Sequence, residues 1–141
     1  MDRYENRPCT VDVICFCDDE VLLIQRMHEP YEHQWALPGG YIDKESAPQA
    51  AIREFNEETG LTLLESDLTL LGVYSDYDRD PRHAISIVYC SEFGIKPITF
   101  KYGSDAEDAG WWKFSKLPKL AFDHDKMIYD FLKLMFNRNK I

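Results

Sequence analysis

Residues 39–61 read GGYIDKESAPQAAIREFNEETGL, and the helix encoded here decides how the rest of the chain can be arranged. Ser46 can cap a helix N-terminus, Pro48 is tolerated in the first turn, and Gln49 stands at the capping-box position. Good helix formers then run to Gly60, which suits a C′ stop. At roughly 100° per residue, Glu54, Glu57 and Glu58 fall on one stripe, while Ala51, Ile52, Phe55 and Thr59 form the stripe beside it. One side of the helix is therefore built to pack on a core, and the neighbouring side is acidic. Carboxylates one turn apart repel each other by about 0.2–0.5 kcal/mol per exposed pair. A solvated helix face tolerates that cost. A hard divalent cation such as Mg²⁺ (or Mn²⁺) would remove it, because it prefers oxygen ligands and keeps some of its waters.

N-terminal to this helix, residues 10–17 (TVDVICFC) and 21–27 (VLLIQRM) are β-rich runs split by Asp18-Asp19-Glu20, which reads as a hairpin. The short apolar piece Trp35-Ala36-Leu37 stops at Pro38-Gly39-Gly40, a turn. After the helix, strands are expected at 68–75 and 84–93 around a polar loop, 76–83, with further short strands at 98–102 and 110–114. Residues 123–137 carry Met127, Ile128, Phe131, Leu132, Leu134 and Met135 at helical spacing, as a core-packing helix does. Strands and helices interleave without a regular βαβ rhythm. The expected class is α/β or α+β, with a mixed sheet flanked by helices.

With 141 residues the chain suits one domain, residues 1–141, with a sizeable core. No apolar run is long enough to cross a bilayer, so no membrane role is expected. The start, MDRYENRP, lacks a secretory h-region, which points to the cytoplasm. Cys9, Cys15, Cys17 and Cys90 show neither a CxxC pair nor zinc-site spacing and read as buried thiols. A net charge of −9 repels nucleic-acid phosphate and argues against a DNA- or RNA-binding role. A small phosphorylated ligand stays compatible with that charge if cations come between it and the carboxylates.

Gly39, Glu45, Arg53, Glu54, Phe55, Glu57, Glu58, Gly60 and Leu61 match the pattern GX₅EX₇REUXEEXGU, where U is apolar. On average composition such a match arises by chance about once in 10⁹ starting points. The segment resembles the Nudix box, and the resemblance implies a Nudix-type α/β/α sandwich that hydrolyses diphosphate linkages with Mg²⁺ or Mn²⁺. It implies metal ligation and catalysis by Glu57 and Glu58, with Glu54 as a third ligand. It also implies that Arg53 orients a carboxylate, with Glu45 as the candidate, and that Gly39 gives the tight turn and a backbone contact to the metal. The loop before Glu45 is one residue shorter than in many members. Cations bridging the phosphate oxygens would neutralise the diphosphate and activate an in-line water. The family's general base is variable. Here Glu107 is the candidate, with Asp105 and Asp108 beside it and Glu92 behind, although the acidic run 105–108 also reads as a solvated loop.

Outside the box, WALPGG, DYDRDPRHAISIVY and DAEDAGWWKFSKLPKLAFDH resemble the ADP-ribose pyrophosphatase-like branch of the family, which includes domains of NAD-metabolism regulators. The implied partner is a small nucleoside diphosphate derivative, ADP-ribose first. Family members are often dimers, so a homodimer is implied as well. Arg26, Arg79, Arg82 and His83 are candidate phosphate or ribose contacts, since Arg suits bidentate phosphate recognition. Trp35, Tyr74 and Tyr77 are candidate purine platforms. Arg79 and Arg82 also have Asp76, Asp78 and Asp80 as nearby partners. Of Trp111 and Trp112, adjacent on a strand, one would face the core and the other the opposite side. His124 is read at the start of the last helix, with Asp123 as its N-cap. A non-catalytic ligand sensor is the alternative class, but residues after Asn137 leave no room for the DNA-binding extension such regulators carry. Enzymes acting on nucleoside triphosphates, dinucleoside polyphosphates or nucleotide sugars are the alternatives within the catalytic class.

Overall fold

The computed structural model describes residues 3–103 and 105–138. In chain order the elements are β1 (Cys9–Cys17), β2 (Glu20–Arg26), β3 (Trp35–Ala36), β4 (Gly39–Tyr41), α1 (Ala47–Thr59), β5 (Thr69–Tyr74), β6 (Ile85–Glu92), β7 (Ala106–Lys113) and α2 (His124–Arg138). The sheet runs β3-β2-β1-β6-β5, with β4 on β1 and β7 on β2. The β1–β6 pair is parallel, from Cys9↔Ile85 to Phe16↔Glu92, and the other pairings are antiparallel, which makes the sheet mixed as expected.

Strand β1 explains the layering. Val11, Val13 and Cys15 pack with Ala50, Ala51 and Phe55 of α1, while Ile14 and Phe16 pack with Met127, Ile128 and Phe131 of α2. Alternate side chains point to opposite faces of a strand, and here both faces are covered, so TVDVICFC reads as one apolar run rather than an alternation. Asp12 is its exception: a buried carboxylate amid apolar neighbours. Helix α1 keeps the ends that its sequence marks. The Ser46 Oγ accepts from the Gln49 N–H at 3.3 Å, the Gln49 side chain accepts from the Ser46 N–H at 3.1 Å, and Gly60 closes the helix at φ 77°.

Several expectations change. Residues 98–102 form no strand, because this stretch serves α1 instead. The Lys101 N–H donates to the Thr59 carbonyl at 3.0 Å and the Gly103 N–H to the Glu57 carbonyl at 2.7 Å, satisfying carbonyls that the last helical turn leaves open. Strand β7 begins at Ala106 rather than 110, so Glu107 and Asp108 are strand residues and not a solvated loop: Asp108 pairs with Gln25 of β2, and Glu107 falls at the register shift before the Arg26–Ala106 pair. Trp111 and Trp112 do face opposite sides, but both sides are covered. Trp112 packs edge-on against Trp35 in the α2 layer, and Trp111 lies in the α1 layer. The Asp123 carboxylate is held by Arg79, at 2.7 and 3.0 Å, instead of capping α2. Cys15, Cys17 and Cys90 are buried free thiols, whereas Cys9 is exposed. Among the described residues, no helix is long and apolar enough to cross a membrane.

Candidate active site

The acidic edge of α1 faces the Pro38-Gly39-Gly40 turn, and the turn approaches so closely that side chains are excluded. A Cβ on Gly40 would lie 2.4 Å from Cδ of Glu54, and one on Gly39 would lie 2.0 Å from the Val11 carbonyl oxygen. Without those side chains the Gly39 N–H reaches Oε1 of Glu58 at 2.7 Å. Glu58 is only 5% exposed. Burial pushes its carboxyl well above the usual range; the Gly39 hydrogen bond opposes this, and the charges of Glu54 and Asp12 add to it. Glu54 is also buried and raised by desolvation, and Arg53 Nη1 donates to it at 2.8 Å. Glu57 sits at the rim, 51% exposed, with Arg53 Nη1 at 3.4 Å.

Arg53 ties this edge to the loop before the helix. Its Nε donates to both Glu45 oxygens at 3.0 and 3.1 Å, and Nη2 donates to the Tyr41 carbonyl at 3.0 Å. The shorter loop thus still brings Glu45 onto Arg53. Fork-shaped donation of this kind fixes orientation as well as charge. The Glu45 carboxyl is held below its ordinary value chiefly by the Arg53 hydrogen bond.

Across a cleft of about 320 Å³ stands a cationic wall. The guanidinium carbons of Arg26 and Arg82 both lie 5.0 Å from the centre of the Phe122 ring, and Arg82 lies 5.1 Å from the Tyr41 ring. Aromatic faces of this kind hold cations in place. Arg82 is fixed further by Asp80, 1% exposed, which accepts from its Nε at 3.0 Å and Nη2 at 2.8 Å. Arg26 donates through Nε to the Pro30 carbonyl at 2.7 Å, and its terminal nitrogens make no hydrogen bond to a described residue. Burial, then the neighbouring Arg82, lowers its pKa, while Glu58 opposes the shift. A second hollow, of about 170 Å³, lies between Glu57, Glu58, Gly103 and Asp105.

The other candidates lie elsewhere. Trp35 packs on Trp112, the Tyr74 hydroxyl donates to Asp130 at 2.7 Å, and Tyr77 stacks on His83 with ring centres 3.8 Å apart. Each ring has a structural partner, and none lines the cleft. Arg79 is buried against Asp123 and the Ala84 carbonyl and reaches only a small void of about 30 Å³ beside the cleft. Glu107 bonds to His33, so Asp105 is the acid of that run that faces Glu58. Asp108 turns back on the Ala109 N–H, and Glu92 ends β6 far along the β1 register from Asp12. The sequence places Asp80 as an Arg82 partner, which the structure bears out, but does not single out Tyr41, Phe122 or Asp12 for the site. A carboxylate inside TVDVICFC was the one available signal, pointing to Asp12.

The NUDIX domain model matches residues 6–131, and the chain belongs to that family as a Nudix hydrolase. An ADP-ribose pyrophosphatase of Methanocaldococcus jannaschii is 42% identical over 132 residues, spanning 92% of this chain and 76% of that protein. The NUDIX domain of Shewanella oneidensis NrtR, solved with ADP ribose, superposes at TM-score 0.83 with 27% identity, covering 96% of this chain and 94% of that one. A bifunctional NMN adenylyltransferase/ADP ribose pyrophosphatase from Francisella tularensis, solved with AMP and a Mn ion, superposes at 0.82 with 29% identity, covering 94% of this chain and 43% of that one.

Nudix hydrolases act with a divalent cation, and the donor set here fits one. Glu58 is a buried carboxylate with a single backbone donor, short of the positive charge its ionised form needs. Among the described residues no three His, Cys, Asp or Glu side chains converge as a ready-made cage. Mg²⁺ does not require one, since it binds through one or two carboxylates and completes its shell with waters and substrate phosphates.

Proposed function

We propose that this chain hydrolyses the diphosphate of ADP-ribose with Mg²⁺, releasing AMP and ribose 5-phosphate. The observation that carries the reading is one cleft with two unlike walls: buried carboxylates of Glu54 and Glu58 on one side, and on the other Arg82 beside Arg26, whose terminal nitrogens bond to no described residue. An isolated dianionic diphosphate would be repelled by the first wall. With a cation held by Glu54, Glu57 and Glu58 and the Gly39 backbone it can bind both. ADP-ribose as the substrate is supported by the identity with the archaeal pyrophosphatase and by the two ADP-ribose-related neighbours.

When bound, the cation neutralises the diphosphate and makes a water more acidic. Arg53 holds Glu54 and Glu45 so that the carboxylate edge keeps its shape. Arg26 and Arg82 hold non-bridging phosphate oxygens, with Phe122 and Tyr41 preventing the two guanidinium groups from swinging apart. Water attacks one phosphorus while the bond to the bridging oxygen breaks, and that oxygen leaves on the other phosphate with the electron pair. Asp105, on the Glu58 side of the hollow, takes the proton in place of Glu107.

The test is product analysis with ADP-ribose and Mg²⁺, with and without chelator. AMP and ribose 5-phosphate in equal amounts, abolished by chelator, are expected. No product from ADP-ribose, with cleavage of a nucleoside triphosphate, dinucleoside polyphosphate or nucleotide sugar, would overturn the substrate. Thermal stabilisation by ADP-ribose without any cleavage would overturn the catalytic reading in favour of a sensor, as the likeness to the ligand-bound NrtR domain allows.

A further inference from the structure

Behind the Gly39 turn lies a buried polar pair that the proposed chemistry does not use. Asp12 of β1 and His124, the first residue of α2, are both almost wholly enclosed, and Asp12 Oδ1 lies 3.4 Å from His124 Nε2. The proton positions follow from the partners. Nδ1 of His124 faces the backbone N–H of Leu37 at 3.0 Å, and an amide can only donate, so Nδ1 is the acceptor and Nε2 carries the hydrogen. The Asp12 carboxylate lies within ion-pair reach of that N–H, at 3.4 Å, without a short hydrogen bond between them. The second Asp12 oxygen accepts from the Ser86 hydroxyl at 2.5 Å, which fixes the carboxylate from β6.

Both groups act on the same three residues of backbone. His124 holds residue 37, the Val13 N–H holds the Pro38 carbonyl at 2.9 Å, and Gly39 is paired with Asp12 across the β1–β4 ladder. The Asp12 carboxylate fills the space a side chain at residue 39 would take, since a Cβ there would lie 2.5 Å from Oδ1. The backbone so pinned presents the Gly39 N–H to Glu58. An apolar pair would pack this gap at lower desolvation cost. Two polar groups, each with a directed partner, instead specify where the turn lies.

We infer that Asp12 and His124 are positioning residues that set the Gly39 turn against Glu58 and thereby tune the affinity of this carboxylate edge for a divalent cation. The inference rests on the reading of Glu58 as a cation ligand. Partners standing behind a ligand in this way are worth about 10–100-fold in metal affinity. His124→Asn keeps an acceptor near the Nδ1 position for Leu37 but removes the ring N–H that lies beside Asp12. Asp12→Asn keeps the shape and removes the charge, and His124→Ala removes both contacts.

The experiment measures Mn²⁺ affinity by the spin-resonance signal of the free ion, and Gly39 amide hydrogen exchange by NMR, in folded samples checked by melting. In Asp12→Asn and His124→Asn the affinity should fall about tenfold and Gly39 exchange should quicken. His124→Ala, where it folds, should lose more than His124→Asn. Unchanged affinity and Gly39 exchange in both conservative variants, with only a lower Tm, would overturn the inference and leave the pair as plain packing. Wild-type protein that binds Mn²⁺ without cleaving ADP-ribose would sink the proposed substrate alone, because neither readout depends on turnover.

Discussion

The backbone N–H of Gly39 donates to Oε1 of Glu58 at 2.7 Å, and it is the one hydrogen bond to a described residue that this buried carboxylate makes. One neutral donor does not compensate a desolvated charge. Glu58 is therefore where the cost of building the site is concentrated, and its replacement has two opposite effects.

Glu58→Gln should lower ADP-ribose turnover by ~10² or more, since losing a direct ligand costs at least as much as losing a partner that stands behind one. It should also stabilise the metal-free protein at neutral pH. Burial raises the Glu58 pKa, so stability is full below the unfolded-chain value of about 4.3 and is lost as pH rises through the higher folded-state value. Melting curves in chelator from pH 5 to 8 should fall for wild type and stay flatter and higher for Gln. Divalent cation should raise the wild-type Tm and leave the variant unmoved. A variant that melts lower than wild type in chelator at pH 8 would contradict this.

The adjacent glycines should fail differently. At Gly39 an added methyl meets backbone of β1, which cannot yield cheaply, and Gly39→Ala should cost about 3 kcal/mol of stability. At Gly40 it meets the Glu54 carboxylate, which can swing away, so Gly40→Ala should keep its fold and lose about tenfold in Mn²⁺ affinity. Denaturant melts paired with cation titration separate the two.

Arg26→Ala should reduce kcat/KM for ADP-ribose by about 10², since charged hydrogen bonds are worth about 1.5–3 kcal/mol each, with little change in Tm. Tyr74→Phe and Tyr77→Leu should leave KM within about twofold, because both rings are occupied elsewhere. A rise in KM for either tyrosine variant would restore them as ligand platforms.

Asp80 supplies an acid-sensitive part of stability. Burial alone would raise its carboxyl, but the hydrogen bonds from the Arg82 side chain and backbone outweigh this and hold it below its usual value. The sign is then opposite to that of Glu58: the stabilisation is present above the unfolded value of about 3.9 and disappears as pH falls through the folded one. Asp80→Asn should cost about 3–5 kcal/mol at pH 7 by stranding buried guanidinium charge, with a flatter dependence below pH 4.

How much of this could be read in advance depended on whether the signal was local. Helix α1 announces both ends within its own sequence, through Ser46, Gln49 and Gly60, and its acidic and apolar stripes follow from spacing alone. The β1–β2 hairpin and α2 were legible for the same reason. Residues 98–102 look like a strand by composition, but their backbone donors are claimed by the end of α1, a tertiary event with no local mark. Ring type does not reveal which face of the fold a ring joins; Tyr41 and Phe122 border the cleft, while Trp35, Tyr74 and Tyr77 do not. The proposal of Asp105 over Glu107 as the base turns on where β7 begins, and strand ends are the least readable part of a sequence.

The parallel pairing of β1 with β6 also governs the order in which the chain can come together. Strand β1 is made before the other strands and has apolar side chains on both faces, yet the edge opposite β2 has no neighbour until Glu92 has been synthesised. A nascent chain halted before that point holds α1 and the hairpin but leaves an unpaired, two-sided apolar strand, a template for misassociation. Closure must bridge a long stretch of chain, which slows folding relative to a helical protein of this size. Chaperone dependence during synthesis should accordingly peak while residues 60–90 are emerging and fall once β6 docks.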